Sequence, residues 1–179
     1  MINKGDSFLW ISDYFLVNTN NYNVDKPVEK LDKYLTFALG DEAYGLEIMQ
    51  VREIFGLMPI TRVPAYVRGV INLRGKVIPV VDLRLKFGMP GVEDTKETCI
   101  IVVNIDGLLI GIVVDRVTEV LDITEEKIEE TSTFGVNVDT QFIMGLGKVG
   151  DKVVILLDIL KVLTAEELAV VAGAEDVAP

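Results

Sequence analysis

Three aspartates are the first residues here with which a protein could do chemistry. Asp82, Asp115 and Asp158 each close an apolar run. Carboxylates gathered at strand ends can hold Mg²⁺ or share the work of acid and base. The competing explanation is structural. An aspartate that ends a strand caps the helical turn after it, as Leu83-Arg84-Leu85 and Ile159-Leu160 suggest, and caps are what we expect. Two glycine patterns imitate nucleotide sites. Gly145-Leu146-Gly147-Lys148-Val149-Gly150 spells G-x-G-x-x-G, but that fingerprint needs a helix whose amino terminus faces pyrophosphate. Lys152 to Leu157 is a β run instead, so Gly150 belongs to a hairpin turn. Gly69 through Gly75-Lys76 mimics a phosphate loop with one residue too many between the glycines, and Val77 stands where a magnesium-binding Ser or Thr is required.

Composition removes most other catalysis. The 179 residues include no His and one Cys, at position 99. A Ser-His-Asp triad, a Cys-His pair, a His-held metal or haem, and phosphorylation on His are all excluded. So are an internal disulfide framework and a Cys-rich zinc site, and a reducing cytoplasm is expected. Cys99 opens an apolar strand and is read as a small core residue. No metal and no cofactor are expected. Seventeen Lys plus Arg stand against 28 Asp plus Glu, a net charge of −11, which disfavours nucleic acid and anionic lipid as partners. No apolar run approaches the ~18 residues of a membrane span, so no membrane insertion is expected. Phe8-Leu9-Trp10-Ile11 lies between Asp6 and Asp13 without a cleavage pattern, and no signal peptide is expected.

The elements that must position these residues are mostly strands. Residues 1–33 show no clean period; they hold five of the thirteen aromatics (Phe8, Trp10, Tyr14, Phe15, Tyr22) and read as a loosely ordered extension that docks one aromatic patch. From Tyr34 four hairpins follow. Their turns are Gly40-Asp41, Arg74-Gly75, Asp106-Gly107 and Gly150-Asp151, with flanking strands from Leu35 to Ile48, Val67 to Val81, Cys99 to Val114 and Phe142 to Leu157. Leu83 to Phe87 predicts one helical turn, and Thr124 to Lys127 a solvated one. Thr164-Ala165-Glu166-Glu167 is a capping box opening a carboxy-terminal helix.

The pattern repeats. Tyr44-Gly45-Leu46 through Val51-Arg52-Glu53-Ile54 recurs 66 residues on as Ile110-Gly111-Ile112 through Val117-Thr118-Glu119-Val120. Gly69, Lys76-Val77 and Val81-Asp82-Leu83 recur 76 residues on as Gly145, Lys152-Val153 and Leu157-Asp158-Ile159. Duplication predicts a mainly all-β chain of two small barrels, with Asp82 and Asp158 in equivalent, separate places. Ile48, Val51 and Ile54 are spaced three apart among charged residues, and Val117 and Val120 match them in the second copy. Such a strip is either core or an exposed apolar groove. Arg74 at a hairpin tip is either a solubilising charge or part of that surface.

On these residues the chain resembles the CheW family, the coupling proteins of bacterial chemotaxis. The resemblance lies in Leu35 to Leu46, Val51 to Ile54, Val63-Pro64-Ala65-Tyr66-Val67-Arg68-Gly69-Val70-Ile71-Asn72-Leu73-Arg74-Gly75, Val77 to Leu83, Gly111 to Val117 and Gly145-Leu146-Gly147. It covers residues 34–172 and leaves 173–179 as a tail; the 33-residue extension departs from the family's short amino terminus. The resemblance implies two five-stranded SH3-like barrels, over about 34–92 and 93–158, with a carboxy-terminal helix over about 159–172.

It further implies a non-catalytic scaffold in a two-component system. Such a protein couples methyl-accepting chemoreceptor tips to the regulatory domain of the histidine kinase CheA, in the cytoplasm at receptor arrays beneath the inner membrane. The receptor-binding groove would be Leu35, Ile48, Val51, Ile54 and Val117, with Glu53 and Arg74 as charged rim residues. On that basis Val51→Asp is expected to abolish receptor binding and leave the fold and kinase binding intact, unfolding being the sign that Val51 is core. The kinase surface would run over Phe55 to Ile60, with Phe55, Met58, Pro59 and Ile60, and from Glu129 to Phe134. Glu129 and Thr133 depart from the pattern expected there. CheA itself needs a phosphorylatable His, and CheV carries a receiver domain of about another 120 residues that does not fit this length. The alternatives are a CheW-like adaptor for another output, such as twitching motility or gene control, and a metal-dependent enzyme using Asp82, Asp115 and Asp158. The enzyme reading requires those aspartates to converge.

Overall fold

The computed structural model describes residues 32–61, 68–131 and 140–175. Alternating or continuous apolar runs bounded by Gly-containing turns become strands β1 (Lys33–Leu39), β2 (Glu42–Glu47), β3 (Val51–Gly56), β4 (Gly69–Leu73), β5 (Lys76–Asp82), β6 (Cys99–Ile105), β7 (Leu108–Val114) and β8 (Arg116–Asp122), then β9 (Ile128–Glu129), β10 (Ile143–Val149) and β11 (Lys152–Leu157). Helices are α1 (Leu83–Lys86), α2 (Ile159–Val162) and α3 (Ala165–Glu175). All four expected hairpins are antiparallel ladders closed by the expected turns. At the Arg74-Gly75 and Asp106-Gly107 turns both central residues have positive φ, the backbone that a tight two-residue turn demands. The side chains of Asn72 and Asn104 brace these turns by accepting the Gly75 and Gly107 amides at 2.9 and 2.7 Å.

The carboxy terminus differs in one respect from the single helix expected over 159–172. It is two helices, because Leu163 is extended and Thr164 starts a new one. The capping box forms as its residues require: Thr164 Oγ1 accepts the Glu167 amide at 3.2 Å, and Glu167 Oε2 accepts the Thr164 amide at 2.8 Å. The helix then runs to Glu175, past the expected end.

Two sheets result, ordered β8-β1-β2-β11-β10-β9 and β3-β6-β7-β5-β4. The mainly-β expectation holds; among the described residues neither sheet is closed by a continuous strand ladder, and β9 gives one of them a sixth strand. Nor do the sheets follow a division near residue 92. Each takes its first hairpin from one copy of the repeat and its remaining strands from the other. The exchange is symmetrical to the residue. Leu156 lies beside Gly45 where β11 meets β2, and Val80 beside Gly111 where β5 meets β7, both in parallel register. The β1–β8 and β6–β3 ladders each slip by one residue at the equivalent point, leaving out Thr118 in one and Arg52 in the other.

The glycines at those seams are explained by contact. A Cβ on Gly45 would stand 2.9 Å from Leu156 Cδ2, and one on Gly111 2.9 Å from Ile100 Cγ2. Side chains pack in three layers. A shared cluster of twenty buried residues from both sheets, including Leu35, Phe37, Leu46, Ile101, Ile112 and Leu157, outweighs outer clusters of six and four, so the two sheets stand as one body. Burial on both faces is why Cys99 to Ile105 is a nearly unbroken apolar run rather than an alternating one.

Candidate functional site

The apolar strip divides between core and surface. Leu35 and Val51 are 0 % exposed and Ile48 5 %, all three within the shared central cluster. Their side chains are packed into that cluster. Val51 is held opposite Val103, Leu35 between Leu46 and Val120, and Ile48 in a 3-10 turn over Ile48–Gln50. Ile54 and Val117 are half-buried against the same cluster and keep a face outward. They are edge residues, since β3 and β8 are the outermost strands of their sheets.

Glu53 and Arg74 find each other. The two guanidinium Nη atoms donate to the two Glu53 carboxylate oxygens at 2.8 Å each, a fork-on-fork pair. Glu53 also keeps the Arg74 guanidinium more firmly protonated than usual, through those hydrogen bonds first and its charge second. The pair joins the two edges of a sheet that curls back on itself, since Glu53 lies on edge strand β3 while Arg74 tips the hairpin carrying the opposite edge, β4. An isolated bridge between Thr61 and Val70 draws the same two edges together. In the other sheet Glu119, the repeat partner of Glu53, stands 3.9 Å from Lys152.

The three aspartates do not converge. Asp82 caps α1, accepting the Arg84 and Leu85 amides at 3.0 and 3.4 Å, and also holds Arg68 at 3.1 Å. Asp158 caps α2 through the Leu160 amide at 3.1 Å. Asp115 caps nothing. Its Oδ1 takes Arg84 Nε at 2.6 Å, its Oδ2 takes the Gly40 amide at 2.7 Å, and Arg84 Nη2 completes the clasp. The Arg84 hydrogen bonds, opposed by burial and helped by the Gly40 amide, hold the Asp115 carboxyl below the usual carboxylate range. The clasp fastens the β1–β2 turn of one sheet to α1 and the end of β7 in the other. Among the described residues no group of three His, Cys, Asp or Glu side chains could hold a metal ion.

A second tie, Lys86 Nζ to both Glu167 oxygens at 2.6 Å, anchors α3. Burial raises the Glu167 carboxyl, but Lys86 and the Thr164 amide together outweigh it and leave the group below its ordinary value. Neither tie is signalled by sequence, since Arg84 and Asp115 are 31 residues apart and Lys86 and Glu167 are 81 apart.

The second expected surface is split between sheets. Phe55, Met58 and Ile60 are half-buried over the outer face of the five-stranded sheet, and Pro59 is exposed beside them. Glu129 lies on β9 at the far edge of the six-stranded sheet, bonded to Lys148. Phe134 and Thr133 lie outside the described residues, as do Val63 to Val67. Among the described residues no helix is long and apolar enough to cross a membrane.

Against known proteins, the family model of the CheW-like domain matches residues 33–167. The chain is 43% identical over 142 residues to the chemotaxis protein CheW of Klebsiella aerogenes, covering 78% of this chain and 86% of that one. It is 35% identical to CheW of Thermotoga maritima over 145 residues, covering 78% and 91% of the two chains. Among solved structures it is similar to the scaffolding protein TtCheW of Thermoanaerobacter tengcongensis, with a TM-score of 0.69 and 37% identity, over 75% of this chain and 95% of that one.

Proposed function

The chain belongs to the CheW family, and from that premise we propose that it is a non-catalytic adaptor coupling chemoreceptor tips to the regulatory domain of the histidine kinase CheA in chemotaxis. What supports the reading is the preformed Glu53–Arg74 pair on the five-stranded sheet, together with Ile54 and Val117, half-buried on the outermost strands of the two sheets. An apolar edge takes the apolar face of a receptor helix, and a preformed charged rim sets its register. Leu35, Ile48 and Val51 contribute the rigid floor beneath that edge. Phe55, Met58, Pro59 and Ile60 make the kinase surface on the five-stranded sheet, and Glu129 marks its counterpart on the other. Two faces held by one rigid body allow modest affinity at each, because simultaneous engagement raises effective concentration. Its place is the cytoplasmic side of receptor arrays beneath the inner membrane.

The test offers a receptor signalling tip and the CheA regulatory domain, separately and together, to wild type, Ile54→Asp, Glu53→Arg and the exchanged pair Glu53→Arg/Arg74→Glu. Wild type should form the ternary complex. Ile54→Asp should lose the receptor and keep the kinase. Failure of folded wild type to hold either partner overturns the adaptor reading.

A further inference from the structure

The duplication gives each sheet an outer face, and the two faces are filled differently. On the five-stranded sheet Val102, Leu109 and Phe55 pack into the outer cluster. The repeat places Thr36, Ala43 and Leu121 at the same positions of the six-stranded sheet. The smaller Thr36 and Ala43 leave a groove of about 670 Å³ between β8, β1, β2 and β11, lined by Thr36, Ala38, Ala43, Leu121, Val153 and Val154. The groove is open on one side, so it can take some side chains of a longer segment without enclosing the segment. Arg116 and Lys152 stand on its rim beside Asp41, Glu42 and Glu119.

We propose that this groove is the seat of the chain's own aromatic run, Phe8-Leu9-Trp10-Ile11-Ser12-Asp13-Tyr14-Phe15. Three observations select that occupant. First, the chain enters the fold at this sheet: Asp32 O accepts the Ile123 amide at 2.7 Å, and β1, which begins one residue later, lines the groove. Second, the tether is ample. Phe15 is 18 residues from Lys33, a reach of about 60 Å when extended, and Ala38 is only about 17 Å along β1 from Lys33. Tethering converts the contact into an intramolecular one with an effective concentration on the order of millimolar, so weak intrinsic affinity suffices. Third, the chemistry matches. The run is aromatic and apolar, the groove's exposed lining is more apolar than polar, and the rim sets Arg116 and Lys152 among Asp41, Glu42 and Glu119, where the two cations can meet aromatic faces.

The test uses the full chain and its only tryptophan, Trp10. Its emission should be blue-shifted, and its iodide quenching constant several-fold below that of the unfolded chain. Ala43→Leu restores the side chain that the other sheet carries as Leu109 and fills the groove. Lys152→Glu, at a 73 % exposed position, removes a rim cation without touching the core. Each should shift Trp10 to the red and raise its quenching, with far-ultraviolet circular dichroism and the thermal transition unchanged; the rim variant decides the matter if the filled one folds poorly. Wild-type emission typical of exposed tryptophan overturns the proposal. So does shielded emission indifferent to both variants, or shielding that disappears on dilution together with a dimer in sedimentation, which would assign the groove to a second copy.

Discussion

Replacing Val51 by aspartate puts a carboxylate into the central cluster that both sheets share. Val51 is fully buried, opposite Val103. Losing its side-chain burial costs about 1.5–3 kcal/mol. The incoming carboxylate adds several kcal/mol of desolvation, whether it stays charged or takes up a proton. The sum, on the order of 5 kcal/mol, rivals the total of about 5–15 kcal/mol that holds a domain of this kind together. Val51→Asp is therefore expected to unfold the chain or leave it with a much lower urea midpoint, losing receptor and kinase binding together. Val51→Ala, which removes two methyl equivalents at about 0.8 kcal/mol each and opens a small cavity, should cost about 2 kcal/mol and shift the urea midpoint by about 1 M. Circular dichroism during urea titration, followed by receptor capture at the same protein concentration, decides it. A Val51→Asp protein with a wild-type midpoint and a selective loss of receptor binding would refute the reasoning and make Val51 a contact residue.

Other substitutions probe the remaining arguments. Asp115→Asn should cost about 1 kcal/mol at neutral pH, since it weakens a charged clasp that is half-buried. Because the Asp115 carboxyl lies below its ordinary value of about 3.9 when folded, its contribution is complete above that value and is lost as pH falls through the folded one. Urea midpoints measured across acid pH should show a shallower decline in the variant, and parallel curves would count against the clasp. Burial pushes the Cys99 thiol up to about 11, so a thiol reagent should label it only through unfolding; rapid labelling of the native chain would contradict its place in the core. Gly111→Ala should cost about 1–3 kcal/mol by crowding Ile100 and Val80, whereas Gly56→Ala, with open space around it, should move the thermal midpoint little.

Much of this protein was legible along the chain because it is local. Turn glycines, the alternation around them, the Asp82 and Asp158 caps and the Thr164–Glu167 box each involve residues within a few positions of one another, so backbone geometry and nearby hydrogen bonds decide them. The family was legible too, through the runs around Gly40, Val51 and Gly69, and with it Glu53 and Arg74 as residues of interest. The burial of Leu35, Ile48 and Val51 was not. An apolar residue on a strand has a face but no depth until a second sheet is laid against it, and Val51 and Ile54 pack against the same cluster yet only Val51 is fully covered. Nor was Asp115 legible as the partner of Arg84, since the β7–β8 bend and α1 are brought together only by the exchange of hairpins. That exchange marks the boundary. Sequence alone determined that there are two copies of one β unit and where each hairpin turns. Which copy's hairpin joins which sheet was open, because the two are near-equivalent and either pairing satisfies the same local hydrogen bonds. Only the tertiary structure settled it, by seating Gly45 and Gly111 where neighbouring side chains leave no room for a Cβ and by burying one core between two sheets that both copies build.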